Sequence, residues 1–243
     1  MERKTTVAVC CETSLFSPQG DIIKDSGSLL YLGGLISSDG RPDSEISRRI
    51  GMASGDFRAL SRFWSHASLP RKRKLELFHA LVTSKLSYGL STLWCTVPQR
   101  RRLDGFYARC LRKMLGIPCS FVSRVSNKHV LAKADVQPLT EQILYRQLLL
   151  LRRTVMSAAH SPLRRSTFVD ESLIPQVGRS ARRVGRPRQD WVTELMKVGS
   201  QRFGGAQRFE TLLQGRGPQA DDFWRTELRR SFQVERAEQR VIV

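Results

Sequence analysis

Asp221-Asp222 is an adjacent carboxylate pair, the arrangement with which nucleotidyl-transfer enzymes hold two metal ions against a phosphate. That chemistry needs the pair in a hairpin turn between apolar strands. Here Gly217-Pro218 precedes it and Phe223-Trp224-Arg225 continues into a helical pattern, so the acids read as a helix start at the positive end of the dipole. His66, His79, His129 and His160 have no ligand partner at helical or hairpin spacing, which predicts structural or surface roles. Gly33-Gly34 lacks the Gly-Lys-Ser/Thr of a phosphate loop. Cys10, Cys11, Cys95, Cys110 and Cys119 give neither an even disulfide framework nor a C-x-x-C pair, and Cys95 and Cys110 fall on apolar faces as small hydrophobes. The residues therefore predict no catalytic group, no metal ligand and no cofactor.

What the sequence does supply is positive charge. Its 243 residues carry 41 Lys and Arg against 22 Asp and Glu, a net +19. Arg makes up 32 of the 41, an enrichment that a G+C-rich gene could produce without selection, so the placement of the surplus matters more than its size. Residues 1–40 are net −2, 41–118 net +11, 119–190 net +8 and 191–243 net +2. A surplus concentrated in the middle repels itself unless a polyanion meets it, which favours nucleic acid over an acidic protein or a membrane surface. No apolar run approaches the roughly 20 residues of a membrane span, and Met1-Glu2-Arg3-Lys4 leads into no signal core, so the expectation is an intracellular chain with no membrane partner.

The elements that must carry this charge are mainly α-helical. Thr5–Cys10, Asp21–Lys24 and Leu29–Ser37 read as strands, the last closed by Asp39-Gly40: a short N-terminal hairpin or three-stranded edge. Ile46, Ile50, Ala53, Phe57, Leu60 and Trp64 then form one helical stripe, capped by Asp43 or Ser44. A second helix after Pro70 buries Leu75, Phe78, Val82 and Leu86, with Leu77, Leu81 and Tyr88 widening its face. Its first turn is Arg71-Lys72-Arg73-Lys74, where positive charge opposes the helix dipole at about 0.3–1 kcal/mol, a placement that either a solvated face or phosphate contact explains. A third helix from Pro98 buries Leu103, Phe106, Cys110 and Met114, stops at Gly116, and carries Arg100, Arg101, Arg109, Arg112 and Lys113 on its other side. Helices are expected over 127–134, 139–159, from Pro187 through Trp191, Leu195 and Val198, over 206–213 and over 219–240, the last as a solvated amphipathic cap. Residues 161–187 read as a mobile basic linker. Within it Gly185-Arg186-Pro187 resembles the heart of an AT-hook, but Val184 stands where that motif has Arg, so the cluster reads as electrostatic contact or nuclear import.

Tyr31-Leu32-Gly33-Gly34-Leu35-Ile36-Ser37-Ser38-Asp39-Gly40 resembles the segment just after the palm in reverse transcriptases of non-LTR retrotransposons, the long interspersed element type. Matches to that family continue in order: Glu45-Ile46 with Arg48-Arg49-Ile50 and Ala53; Leu86-Ser87-Tyr88-Gly89 with Trp94; Leu103-Asp104 with Phe106, Arg109-Cys110-Leu111-Arg112 and Leu115-Gly116-Ile117; and Gly185-Arg186-Pro187-Arg188 before Trp191. The resemblance spans roughly residues 4 to 195, and residues 196–243 have no counterpart in it. It implies that Tyr31–Leu35 is the primer-grip hairpin and that 41–118 is the helical thumb, whose basic side holds template and primer. The family's catalytic aspartates would lie before Met1, so the resemblance implies a truncated, transposable-element polymerase fragment that does not polymerise alone.

The resulting expectation is a palm remnant over 1–40, a thumb-like helical domain over 41–160, the linker over 161–187 and a C-terminal helical segment over 188–243. Candidate nucleic-acid contacts are Tyr31, Leu32, Gly33, Arg48, Arg49, Arg71, Lys72, Arg73, Lys74, Arg101, Arg109, Arg112, Lys113, Arg182, Arg183, Arg186 and Arg188, while Trp64, Phe78, Phe106 and Trp191 are expected in the core. The expected partner is RNA, DNA or their hybrid, with nuclear residence suggested by the Arg182–Arg188 cluster. The alternatives are a module that completes a catalytic palm in another chain, or a non-functional relic.

Overall fold

The computed structural model describes residues 15–16, 19, 22–23, 27–66, 68–169, 172–176 and 190–241. Among them the protein is mainly helical, with strand confined to two short antiparallel hairpins. The contacts gather into two compact units. The first comprises the chain up to Gly89 together with Cys95–Leu103; the second comprises Leu90–Trp94 and the chain from Asp104 onward.

In the first unit, strand β1 (Leu15–Phe16) pairs with β2 (Ile22–Ile23), and β3 (Ser28–Tyr31) pairs with β4 (Gly34–Ser37). Among the described residues no third strand joins either pair, and Thr5–Cys10 lies outside the described residues. The run Leu29–Ser37 is not one strand but a hairpin with Leu30 opposite Leu35 and Tyr31 opposite Gly34. Its two-residue turn, Leu32-Gly33, has φ of 46° and 75°, the positive pair that matches the twist of tight hairpins. Gly33 takes this conformation freely, whereas Leu32 does so at a cost of about 1 kcal/mol.

Helix α1 (Asp43–Ala59) buries Ile46, Ala53 and Phe57, as its spacing predicts. Its cap is Pro42 rather than Asp43 or Ser44, and Asp43 and Glu45 in the first turn favour the dipole instead. The stripe breaks at Leu60 and resumes in α2 (Ser61–His66), which places Trp64 against Phe57 and Phe78. Helix α3 (Arg71–Phe78) passes through a π turn, His79–Thr83, into α4 (Ser84–Ser87). That wider turn shifts the helical phase, so Phe78, Val82 and Leu86 stay fully buried while Leu81 and Tyr88, expected on the same face, are exposed.

Helix α5 (Val97–Met114) contributes residues to Leu103 to the first unit and the remainder to the second. It ends in a Schellman closure, with Ile117 N donating to Arg112 O and Gly116 N to Lys113 O. Gly116 supplies the positive φ of 65° that this closure needs. Then follow α6 (Ser120–Ser123), α7 (Asn127–Ala134), α8 (Leu139–Met156), α9 (Pro162–Arg165), α10 (Trp191–Arg202), α11 (Ala206–Gln214) and α12 (Pro218–Val241). Three side chains cap as their types predict: Ser126 accepts from His129 N, Ser161 from Arg164 N, and Asp190 from Val192 N and Thr193 N.

One core joins Leu144, Leu148, Leu151 and Val155 of α8 to Phe168, Leu195, Phe203, Phe209, Trp224, Leu228 and Phe232. Helix α12 is amphipathic as expected: it inserts Trp224 and Leu228, both essentially inaccessible, and turns Asp222, Arg225, Arg229 and Arg230 outward. The expected boundary at 160 is corrected, because α8 and the C-terminal helices share that core. Much of the presumed linker is also folded. Phe168 is fully buried and bridges to Pro175, and Arg164 donates to Val155 O, so a single apolar anchor overrides the turn-forming composition. No helix among the described residues is long and apolar enough to cross a membrane.

Candidate nucleic-acid interface

The hairpin turn of the first unit is held by a cluster of charged and aromatic groups. Glu45, Arg48 and Arg49 stand one turn apart on α1, a spacing that lets one carboxylate meet both guanidinium groups. Glu45 Oε2 accepts from Arg48 Nε at 2.9 Å and from the Leu35 amide at 2.9 Å, while Oε1 accepts from Arg49 Nε at 2.6 Å. Both arginines also donate to Gly33 O. The Tyr88 hydroxyl donates to Leu32 O at 2.9 Å, and the Arg49 guanidinium lies 4.5 Å from the centre of the Tyr88 ring. Burial by itself would raise the Glu45 carboxyl, but the hydrogen bonds from Arg48, Arg49 and Leu35 outweigh it and hold the pKa below its ordinary value.

The cluster fixes a hairpin that two strands alone would not stabilise, and it leaves the tip outward. Leu30, Tyr31 and Leu32 are 62%, 60% and 77% exposed. Some of the residues that carry the resemblance thus meet in space: Tyr31–Gly34, Glu45, Arg48, Arg49 and Tyr88 form one connected group. Arg49 is buried and Arg48 is half-buried beside Glu45, so both serve the hairpin rather than an external phosphate.

The remaining cations divide by exposure. On α3, Arg71, Lys72 and Arg73 are exposed, with Arg73 paired to Glu76 at 2.8 Å, whereas half-buried Lys74 donates to Trp64 O at 3.1 Å. The first part of α5 exposes Arg101 and also Arg102, which donates to Ser47 Oγ at 3.0 Å. In the second unit, Arg109 and Lys113 are exposed. Arg112, expected beside them, is buried, because the chain after α5 folds over its guanidinium: Pro118 O, Val125 O, Ser123 Oγ and Asn127 Oδ1 all accept from it. Arg182, Arg183, Arg186 and Arg188 lie outside the described residues.

The other sequence candidates resolve simply. Asp221, in the first turn of α12, accepts from buried Arg152 at 2.6 Å, and Arg152 also bonds the carbonyls of Leu212, Leu213 and Gly215 at the end of α11. Asp222 is exposed. Cys95 and Cys110 are buried, and desolvation pushes their thiols up to about 11 and about 12, so both stay protonated at neutral pH. Trp64, Phe78 and Phe106 are core residues as expected; Trp191 is half-buried and donates from Nε1 to Ser91 O. Among the described residues no three His, Cys, Asp or Glu side chains gather as metal ligands.

No family model, curated protein or solved structure matches the chain.

The sequence places Glu45 and Tyr88 in the family matches, and Tyr88 on a helical face, but gives neither a part in holding the hairpin, and Arg102 has no expected role. The part of Glu45 was legible in principle, since an acid three and four residues before two arginines on one helix predicts an ion-pair cluster. That of Tyr88 was not, because its partner Leu32 is 56 residues away.

Proposed function

We propose that this chain is the thumb-containing part of a non-LTR retrotransposon type reverse transcriptase, and that it holds template–primer nucleic acid without catalysing nucleotide addition on its own. The observation that carries the reading is the meeting of the motif residues from three stretches, Tyr31–Leu35, Glu45–Arg49 and Tyr88, on one feature, the pinned hairpin with its outward tip. A chance scatter of matches has no reason to form a connected hydrogen-bonded group. The exposed cations of α3 and α5 give the charge such a role requires, through contacts to phosphate rather than to bases.

The test is fluorescence anisotropy of the full chain with an RNA·DNA hybrid and with duplex DNA across a salt series. If about five exposed cations each meet a phosphate, the slope of log affinity against log salt is about −4 to −5 on duplex DNA. Affinity then falls several hundred-fold between about 50 and 200 mM salt. A flat salt dependence refutes the reading. Primer extension with Mg²⁺ or Mn²⁺ tests the absence of catalysis, and any template-directed product overturns that part.

A second reading is a module that completes a palm in another chain. It is favoured by the exposed apolar residues Leu30, Leu32 and Ile36 on a hairpin that no third strand joins among the described residues. Co-purification with a full-length element polymerase tests it.

A further inference from the structure

The segment just after α5 displays an aromatic ring where nothing in the fold needs one. Phe121, in the single turn α6, is 82% exposed, and its neighbour Val122 is 67% exposed. An apolar side chain gains stability by leaving water, and this one has not left it, so core packing does not account for Phe121.

Its support is nonetheless built. Arg112, buried beneath the loop, donates to Pro118 O and Ser123 Oγ on one side and to Val125 O and Asn127 Oδ1 on the other. The turn is closed internally by Ser123 N to Cys119 O at 2.9 Å and Arg124 N to Ser120 O at 3.0 Å. Ser123 Oγ adds bonds to Pro118 O and Cys119 O, and Ser126 caps the next helix. Arg124 adopts φ of 57°, a left-handed conformation that costs a non-glycine residue energy, and its guanidinium carbon lies 5.9 Å from the centre of the Phe121 ring. A loop fixed at this many points presents its ring with little conformational freedom left to lose on binding.

The chain segment that carries the ring has charge of one sign. Residues 105–134 contain Arg109, Arg112, Lys113, Arg124, Lys128 and Lys133 and no Asp or Glu. Of these, Arg109, Lys113, Arg124, Lys128 and Lys133 are exposed. A flat apolar ring among cations, with no acid in the segment, matches a ligand that is itself a flat ring joined to phosphates.

We infer that Phe121 is a base-stacking platform for single-stranded nucleic acid, with Arg124 and its basic neighbours contacting the flanking phosphates. This rests on the nucleic-acid reading above and adds to it a site and a preference. In a duplex the bases are already stacked and closed to Phe121, so the ring acts only on unpaired nucleotides. Stacking of one base on an aromatic side chain corresponds to about 5- to 150-fold in affinity.

The experiment compares wild type, Phe121→Ala and Phe121→Trp in the full chain. Each is titrated against labelled oligo(dT), the corresponding single-stranded RNA and a blunt duplex DNA at one salt concentration. The expected result is a loss of at least about 5-fold for single strands in F121A, duplex affinity unchanged, and recovery in F121W accompanied by a change in its tryptophan emission when oligo(dT) is added. Because Phe121 is exposed, F121A should keep the wild-type far-UV spectrum and melting point. Equal single-strand affinity in wild type and F121A overturns the inference while leaving the nucleic-acid reading intact. Equal losses on single strands and duplex overturn it as well, since they indicate general damage to the loop. If wild type binds neither single strands nor duplex, both the inference and the reading fall together.

Discussion

Replacing Glu45 by Ala should release the hairpin from α1. The carboxylate is 3% exposed and its partner Arg49 is 4% exposed, so the variant leaves a guanidinium buried without its counter-ion. Arg cannot escape by losing its proton. Deleting one partner of a buried pair costs about 3–5 kcal/mol, whereas the Arg48 end, open to water, adds at most about 1 kcal/mol. Arg49 keeps Gly33 O and the Tyr88 ring, which argues for the lower end, about 3 kcal/mol. If that energy holds the hairpin closed, amide exchange across 28–37 should accelerate about 100-fold or more. Hydrogen exchange followed by mass spectrometry reads this peptide by peptide, with the α10–α12 peptides as an unaffected control. Replacing the whole pair, E45Q with R49M, should recover part of the loss, because no buried charge then remains. Hairpin exchange in E45A within twofold of wild type would mean that the ion pair is not what fixes the tip. The wild-type pH dependence follows from the same group. Its folded pKa is depressed below the ordinary 4.5, so its stabilisation is present above that value and disappears as pH falls through the depressed one. E45A should lack this acid step.

Two further outcomes test the second unit. A Cβ on Gly199 would stand 2.2 Å from Cζ of Phe209, a fully buried ring stacked on Phe203 that has no space to retreat. Gly199→Ala should therefore cost about 1–3 kcal/mol and lower the melting point by about 2–12 °C in a circular dichroism melt. Asp104 has the opposite pH signature to Glu45. Burial raises its carboxyl above the ordinary 3.8 despite hydrogen bonds from Thr140, so the stability linked to its protonated form is complete below 3.8 and lost as pH rises through the raised value. Asp104→Asn should flatten the urea-midpoint profile in that window, and an unchanged profile would place the titration elsewhere.

The elements were largely legible because helices announce themselves through local spacing. Ile46, Ala53 and Phe57 at intervals of seven and four, and Leu103, Phe106, Cys110 and Met114 at intervals of three and four, determine which face is buried whatever it packs against. The stop of α5 was legible for the same reason, since Gly116 supplies the positive φ that its closure needs; the start of α10 was not, because the sequence points to Pro187 and the cap is Asp190. The failures were those of packing. Leu81 and Tyr88 share the helical face of Phe78 only if the turn count is regular, and the π turn at His79–Thr83 makes it irregular. Residues 161–176 have a linker's composition, yet Phe168 finds space in the core.

The candidate site divides along the same line. The sequence by itself determined the sign and rough placement of the charge and the helices that carry the arginines, because these depend on residue type and near neighbours. Only the tertiary structure decided what each arginine does. Arg49, Arg112 and Arg152 are the same residue type as Arg101 and Arg109, yet the first three are buried and bonded within the protein and the other two face solvent. A guanidinium offers five donors on a long stem, and whether carbonyls or water satisfy them depends on how the chain folds back, which no local spacing specifies.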